Sequence, residues 1–546
     1  MLGLMQDFPL TIEAILRHGE RLYGAKSVVT QRAQGQERTT IAGVAARSRQ
    51  VAGVLERLGV SQGGRVGSFG WNTANHTALY FGVPCTGRVL HTMNIRLFAD
   101  QLIYTVEHAE DEVVFADRSL MPLLSQYLPK LHTVKHVVVF DDGAPNELPD
   151  DSRLVSWDEV AGEELDFSGA VTDENTAAAI CYTTGTTGNP KGVLYSHRSS
   201  YLHSLATQTP ATFALAETDT VMPVVPMFHA MAWGIPYAAV MAGSNIVMPG
   251  PQMTPAALLD AMESERVTLT AGVPTIWMGM LPLLDGRDLS SLRRIICGGS
   301  AVPKALSEGW RAKIGLPITQ AWGMTELSPL GTVCSIRSEY QGASDEELAE
   351  VRATAGIPPI GVELRIVDAD TREELPWDNE AVGELEARGP WIARQYYRTE
   401  EPGEQFSPDG WLRTGDVAAI SELGYLRLVD RTKDLIKSGG EWISSVDLEN
   451  AIMGHPAVAE AAVIALPHPR WMERPFACVV LKEGQSLTKA ELIAYLSERL
   501  EKWGLPDDIE FIDEIPKTSV GKFSKRTLRE RFADRQLGDP ADQFRD

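Results

Sequence analysis

Cysteine is scarce in this sequence. Its five residues, Cys85, Cys181, Cys297, Cys334 and Cys478, are scattered over 546 positions. They are odd in number and no pair has zinc-ligand spacing, so neither a disulfide framework nor a structural zinc site is expected. Isolated thiols suit a reducing compartment, and the cytoplasm is the expected location. Positive charge is also short. Fifty Lys and Arg against 73 Asp and Glu leave a formal net charge of −23. That argues against a nucleic-acid binder, because phosphate backbones need clustered cations. A local basic pocket for a small anion stays compatible with it. Unbroken apolar runs are missing too. From Val221 to Leu259 the only acid, base or histidine is His229, but Pro223, Pro226, Pro236, Pro249 and Pro251 cut the stretch into pieces shorter than the roughly 20 residues of a membrane span. Buried strands and helices around an apolar cavity are expected there, in a soluble protein with no integral membrane segment. The N-terminal residues carry no basic leader, and an amphipathic helix is expected to start near Thr11.

What is present is ordinary in bulk, with 44% apolar and 23% charged residues. The length implies roughly two to four domains. Through the first three quarters, short β-branched runs alternate with helical patterns. "TVKHVVVFDD", "RVTLTAGVP" and "LRRIICGGS" read as strands. "TIWMGMLPLL" and "VPKALSEGWRAKIG" read as helices. Strand, loop, helix, repeated, predicts an α/β fold of parallel helix-covered sheets, with ligands at the carboxyl ends of the strands. From about Gly356 to residue 429 the texture changes. "GVELRIVDADTREELP" and "GELEARGPWIARQYY" alternate as antiparallel strands do, which predicts a small β-subdomain closing an N-terminal domain of residues 1–429. A compact α+β domain is expected over 430–546, where "TKAELIAYLSERLEKW" reads as an amphipathic helix.

"YTTGTTGNPKG", Tyr182–Gly192, follows an apolar strand. Glycines let the backbone approach a ligand, successive N–H groups make an anion nest, and the hydroxyls and Lys191 add donors. This is chemistry for cradling phosphate. It is neither a Walker loop nor a Gly-x-Gly-x-x-Gly turn. The bland alternative for such a loop is a surface connection.

The eleven residues resemble the phosphate loop of the adenylate-forming enzymes: acyl-CoA synthetases, nonribosomal-peptide adenylation domains and luciferases. Further matches follow in that family's order: "QAWGMTEL" (Gln320–Leu327), "WLRTGDVA" (Trp411–Ala418), "DRTKDLIKSGGEWIS" (Asp430–Ser444) and "PKTSVGKFSK" (Pro516–Lys525). The resemblance covers nearly the whole chain. It implies that ATP and AMP are held by Thr183, Thr184, Gly185, Thr186, Thr187, Gly188 and Lys191, by Gly299, Ser300 and Ala301 of "GGSAVP", by Gln320, Ala321, Trp322, Gly323 and Thr325, and by Asp416 and Arg431 at the ribose. Trp322 stands where the family commonly has tyrosine. Thr184 and Glu326 would hold Mg²⁺, a hard cation that asks for few oxygen ligands. Lys522 matches the family's catalytic lysine, and the implied catalytic set is Lys522, Thr184, His229 and Glu326. Taken alone, Asp416 and Arg431 would read as a surface salt bridge, and Lys522 as a solvated residue of a basic tail.

"VPMFHAMAW", Val225–Trp233, is similar to fatty acyl-CoA synthetases. It implies an acyl site of His229, Trp233 and Gly323, with the tryptophan gating the acyl tunnel. Alone, His229 would read as a satisfied core residue. "KSGGEWIS" resembles the acyl-CoA synthetase branch, which implies CoA contacts at Lys437, Ser438, Gly439, Gly440, Glu441 and Trp442. The implied activity is an ATP-, Mg²⁺- and CoA-dependent acyl-CoA ligase for a small-molecule carboxylic acid. Its small domain would turn about a hinge at Asp430. Long, medium and short chains stay open, as do a thioether acid of the methylmercaptopropionate type and a carrier protein as acceptor. Some fatty-acid members dimerise, which leaves a homodimer open.

Overall fold

The computed structural model of the chain describes residues 1, 3–183, 189–438, 441–518, 522–535 and 537, and for 441 and 442 the backbone. These residues form four sheets. In the first, the strands Ser27–Gln31, Thr220–Pro223, Asn245–Met248, Leu269–Gly272, Arg294–Cys297 and Ile318–Gly323 run parallel. Gln36–Thr40 and Leu330–Val333 pair antiparallel at the two edges. In the second, Arg65–Phe69, Val89–Thr92, Asp111–Asp117, His136–Phe140, Leu154–Ser156 and Ala177–Tyr182 are parallel, and Gly192–Ser196 returns antiparallel beside Ala177–Tyr182. Central strands such as Leu269–Gly272 are buried along their whole length. That is why they read as continuous apolar runs and not as alternating ones.

Parallel strands put their carboxyl ends at one edge. The "GGSAVP" turn leaves Cys297 there and "MTEL" leaves Gly323. In the second sheet the Thr/Gly loop leaves Tyr182 and bridges a hairpin to Gly192. The expected N-terminal helix is present as Ile12–Tyr23, with the Thr11 hydroxyl capping the Ala14 N–H. The uncharged Val221–Leu259 stretch is buried almost throughout. No helix among the described residues is long and apolar enough to cross a membrane. Within it, Ala230, Met231, Ala232 and Trp233 all have positive φ, at 42°, 54°, 47° and 55°, and Gly234 follows at 69°. Four non-glycine residues in a left-handed turn are strained, by about 1–2 kcal/mol each. The apolar pattern of "AMAW" carried no sign of it.

The antiparallel sheet expected after Gly356 is built from Glu363–Val367, Gly383–Arg388, Leu412–Ile420 and Leu426–Arg431. The alternating "GELEARGPWIARQYY" is not one strand. Pairing stops at Arg388, where Gly389 and Pro390 break it, and Trp391–Thr399 cross the site as a loop. The last sheet joins Ile436–Ser438, Glu441–Ile443, Val458–His468, Met472–Leu481 and Asp508–Phe511. The helix Ser445–Met453 and the helix Lys489–Ser497 pack with it in one apolar core around Val463, Ala477 and Leu492. Lys489–Ser497 opens with a reciprocal capping box between Thr488 and Glu491. Asp430 lies inside the strand Leu426–Arg431. Its buried carboxylate accepts from the Ser445 N–H (2.7 Å) and the Ser445 hydroxyl (2.6 Å).

Candidate active site

Two adjoining cavities open at the carboxyl ends of the strands, of about 420 and 310 Å³. Both are lined by Gly299, Ala321, Trp322, Gly323, Arg431 and Lys522. The larger also takes in Thr183, Lys191, His229, Trp233, Thr325 and Glu326. The smaller takes in Ser300, Ala301, Gln320 and Asp416. Residues named from motifs far apart in sequence therefore meet at one place. Thr184, Gly185, Thr186, Thr187, Gly188, Gly439 and Gly440 lie outside the described residues, as do the side chains of Glu441 and Trp442. Lys437 and Ser438 sit on the C-terminal sheet and line neither cavity. The Lys437 N–H donates to Glu473 (2.9 Å), and the Ser438 hydroxyl accepts from Arg474 (3.0 Å).

The glycines are there because backbone and side chains crowd them. A Cβ at Gly323 would stand 1.7 Å from the Pro329 carbonyl oxygen. Gly299 has φ of 91°, and a Cβ there would meet Lys522 Cε at 3.3 Å. The turn that carries Gly299 is pinned from behind, since the Val302 N–H donates to Gln320 Oε1 (3.0 Å). Gln320 thus shapes the flat glycine face. The neck of the Thr/Gly loop is closed reciprocally: the Thr183 N–H donates to the Lys191 carbonyl (2.9 Å), and the Lys191 N–H donates to Thr183 Oγ1 (3.1 Å).

Asp416 is buried, and both its oxygens are engaged. The Trp322 indole N–H donates to Oδ2 (2.9 Å), and Arg431 Nε pairs with Oδ1 (2.6 Å). A carboxylate has about four lone-pair sites, so two remain for vicinal hydroxyls. The surface-salt-bridge reading fails on burial, because the Asp416 side chain is only 6% exposed. Trp322 keeps a flat face for a base and adds a donor that phenylalanine would lack.

Glu326 is buried and accepts from the Tyr396 hydroxyl at Oε1 (2.7 Å), which leaves Oε2 for a hard cation. Lys191 Nζ lies 4.6 Å from the centre of the same Tyr396 ring. The backbone around Glu326 is held by Tyr195, whose hydroxyl donates to the Thr325 carbonyl (2.6 Å). No group of three or more His, Cys, Asp or Glu side chains that could hold a metal occurs among the described residues. Sequence reasoning missed Tyr396 and Tyr195. Tyr396 stands 70 residues from the carboxylate it orients, and no motif spacing announces that contact.

Lys522 is brought in by the C-terminal unit. Its loop is pinned by a Thr518 N–H to Lys522 carbonyl bond (2.7 Å) and a Lys522 N–H to Thr518 Oγ1 bond (3.2 Å). Its neighbours Lys517 and Lys525 are neutralised by Glu460 (2.8 Å) and Glu449 (2.7 Å), the second pair in the wall of the smaller cavity. Desolvation, with the charge of Arg431 second, pulls the Lys522 ammonium down to about 8, against the pull of Asp416 and Glu326. His229 is pushed down to about 3 by burial first and the charge of Lys522 second, so its imidazole is neutral. Trp233 leans its ring tip toward Gly298, 3.2 Å from where a Cβ would stand. His203 and Phe213 join the wall beyond it, and neither was singled out from sequence.

The AMP-binding enzyme family model matches residues 17–397, and the model of the AMP-binding enzyme C-terminal domain matches residues 447–522. The chain is 45% identical to a long-chain-fatty-acid–CoA ligase of Thermus thermophilus, over 97% of this chain and 96% of that protein. It is 42% identical to a 3-methylmercaptopropionyl-CoA ligase of Ruegeria lacuscaerulensis, over 98% and 100%. The solved structure of ATP-bound MatB from Rhodopseudomonas palustris superposes with a TM-score of 0.82 at 27% identity, covering 96% of this chain and 99% of that one.

Proposed function

Since the chain belongs to the AMP-binding enzyme family, we propose that it is an AMP-forming acyl-CoA ligase acting on a fatty or related apolar carboxylic acid, with CoA as acceptor. The observation that carries the reading is the meeting of Lys522 with Gly299, Asp416 and Glu326 around two joined cavities. In the first step the acid's carboxylate attacks the α-phosphate of ATP, forming acyl-AMP and releasing pyrophosphate. Gly299–Ala301 and Trp322 flank the adenine, Asp416 accepts from the ribose hydroxyls, and the Thr/Gly loop with Lys191 holds the phosphates. Lys522 faces the oxygens on which charge builds. His229, neutral, orients the carboxylate through a ring N–H. Glu326, with Thr184, would hold Mg²⁺, which when bound screens the phosphate charge. In the second step the CoA thiol attacks the acyl carbonyl and AMP leaves.

The two steps need different groups at one phosphate. In this structure Lys522 is at the cavities while Lys437 and Ser438 are not. We read this as the adenylating arrangement, and we assign to a turn about Asp430 the exchange of Lys522 for the Lys437–Trp442 segment. The choice of acid is supported by relatives 40–45% identical, which are named for long-chain and medium-chain fatty acids and 3-methylmercaptopropionate. The five cysteines are buried and unpaired, which suits the cytoplasm. The test is pyrophosphate release across straight-chain acids from acetate to octadecanoate, with and without CoA. Thioester, AMP and pyrophosphate are expected. ADP and phosphate as products would overturn the reading.

A further inference from the structure

Inside the C-terminal unit a guanidinium is buried. Arg474 is 7% exposed, and Asp507, which it pairs with at 2.7 Å, is 2% exposed. Taking two such charges out of water offsets most of what their pairing returns, so stability alone is a weak reason to keep them. What the guanidinium holds is more specific. Arginine presents its donors in a rigid planar fork. Here Nε donates to Asp507 Oδ1 (2.7 Å), Nη1 to the Trp503 carbonyl (2.6 Å) and Nη2 to the Leu505 carbonyl (3.1 Å). These three partners precede the strand Asp508–Phe511. The fork's other partner is Ser438, whose Oγ accepts from Nη1 (3.0 Å) and which is itself buried.

Ser438 ends the strand Ile436–Ser438, where the segment assigned to CoA leaves the sheet. The ladder to Met472–Leu481 pairs Ser438 with Met472. Two consecutive side chains of that neighbouring strand add to it. Glu473 accepts from the Lys437 N–H (2.9 Å), and Arg474 donates to the Ser438 hydroxyl. We propose that Arg474 is a positioning residue for the second step: through the Ser438 hydroxyl it fixes the Lys437–Ser438 end of the CoA-binding segment for attack by the thiol. Every member of this clamp follows Asp430 in the chain, so it turns with the small unit as one piece. Lys522 rides on the same unit, but its loop is held by other contacts, to Thr518 and through Lys517 and Lys525. Loss of the clamp should therefore weigh on the second step and not on the first. This rests on the ligase reading and adds to it the residue that holds the acceptor-binding segment.

The experiment runs two half-reactions on each protein: acid-dependent pyrophosphate release without CoA, and thioester formation from synthetic acyl-AMP and CoA. The quantity read is the ratio of kcat/KM for CoA in the second to the rate of the first. That ratio does not depend on how much of a preparation is folded. Arg474→Lys keeps a cation for Asp507 but has no fork, and the ratio should fall about tenfold, the worth of one hydrogen bond to a charged group. Ser438→Ala removes only the acceptor and should lower the ratio by a similar factor. Ser438→Thr, which keeps the hydroxyl, should return most of it. Residues that act as one clamp should not lose twice, so Arg474→Lys combined with Ser438→Ala should fall no further than the larger single loss. Should Arg474→Lys fail to fold, Arg474→Met with Asp507→Asn removes both buried charges together and takes its place in the same comparison. Losses that multiply would mean that Ser438 serves CoA without Arg474, and would overturn the proposal. An unchanged ratio in either single variant would overturn it too, as would equal loss of both half-reactions in Ser438→Ala. If the wild-type protein makes no thioester from acyl-AMP and CoA, the ligase reading itself falls. Thioester from the wild type with unmoved ratios in the variants sinks this proposal alone.

Discussion

The two ends of the joined cavities are built on opposite plans. At the phosphate end every carboxylate has a protein partner before any ligand arrives: Asp416 with Trp322 and Arg431, Glu326 with Tyr396. At the acyl end the wall is largely apolar, with Phe213, Ala230, Trp233 and Leu330, and the backbone is held in a left-handed turn at Ala230–Trp233. On the proposed reading the first end takes a part that never changes, the nucleotide. There preorganisation is all gain, since fixed dipoles need no reordering as charge develops. On the same reading the second end takes a part that differs from acid to acid. If the contrast is sound, variants at the phosphate end should cost rate for every acid alike. Variants at the acyl end should change the order of acids.

The largest effect belongs to Lys522. Its ammonium is expected to act on charge that grows only during attack on the α-phosphate, and removing one such contact costs about 10²–10³ in rate. Lys522→Ala should slow acyl-AMP formation by that factor for all acids, yet convert synthetic acyl-AMP and CoA to thioester at near the wild-type rate. The two half-reactions measured on one preparation decide it, and equal losses in both would deny Lys522 a step-specific role. The same lysine sets a pH limb. With its ammonium held near 8, the charged form dominates below pH 8 and is lost as pH rises through it. Adenylation at low ATP should therefore fall above about pH 8, roughly tenfold per unit. Lys522→Arg, whose guanidinium stays charged, should shift or erase that limb. A limb that survives in the arginine variant belongs to another group.

Next in size is Tyr396→Phe. Groups that orient a metal-holding carboxylate typically matter about 10–100-fold in metal affinity. The variant should need about tenfold more Mg²⁺ for half-maximal pyrophosphate release, with its order of preference among acids unchanged. A change in that order would erase the line drawn between the two ends. Smaller again is Trp322→Phe, which keeps a flat face and loses the N–H to Asp416. One hydrogen bond to a buried carboxylate corresponds to roughly tenfold or somewhat more, and the loss should appear as a raised KM for ATP. Trp233→Ala is the opposite kind of change. It should alter the chain-length profile while leaving the KM for ATP within about twofold. An intact profile with weakened ATP use would remove the gate role.

Much of the phosphate end was legible in the sequence because its parts are local. A Gly-Gly turn after a strand and an acid after Thr-Gly, which the structure brings to the joined cavities, each carry their chemistry in a few adjacent residues. The parallel sheets were legible for the same reason, since strand and helix periodicities are short-range. What could not be read are the joints between segments. The Trp322–Asp416 bond spans 94 residues and Tyr396–Glu326 spans 70. The alternation through "GELEARGPWIARQYY" read as antiparallel strand, but pairing stops at Arg388, and the loop after Gly389 and Pro390 lets Tyr396 reach Glu326. His203 was invisible because a histidine in "HRSSYLHSLAT" is marked as a pocket wall only by what packs against it. The left-handed turn was invisible because "AMAW" has no residue that prefers positive φ before Gly234.

That turn supplies the finest test of the contrast, in a change of one methyl. Ala232 is fully buried with φ of 47°. In a right-handed helix, Ala232→Gly would cost about 1 kcal/mol in propensity and about 0.8 kcal/mol for the lost buried methyl, close to 2 kcal/mol in all. In a left-handed turn the same substitution also releases about 1–2 kcal/mol of strain between Cβ and the following carbonyl. The opposing contributions then nearly cancel, and stability should change by less than about 0.5–1 kcal/mol. Urea denaturation of the two proteins at equal slope reads the difference from the midpoints. A loss near 2 kcal/mol would mean that the segment is an ordinary helix in solution, with no strain at the acyl end. A near-neutral result accompanied by a broader range of accepted acids would mean that the strained turn holds Trp233 in the position that discriminates.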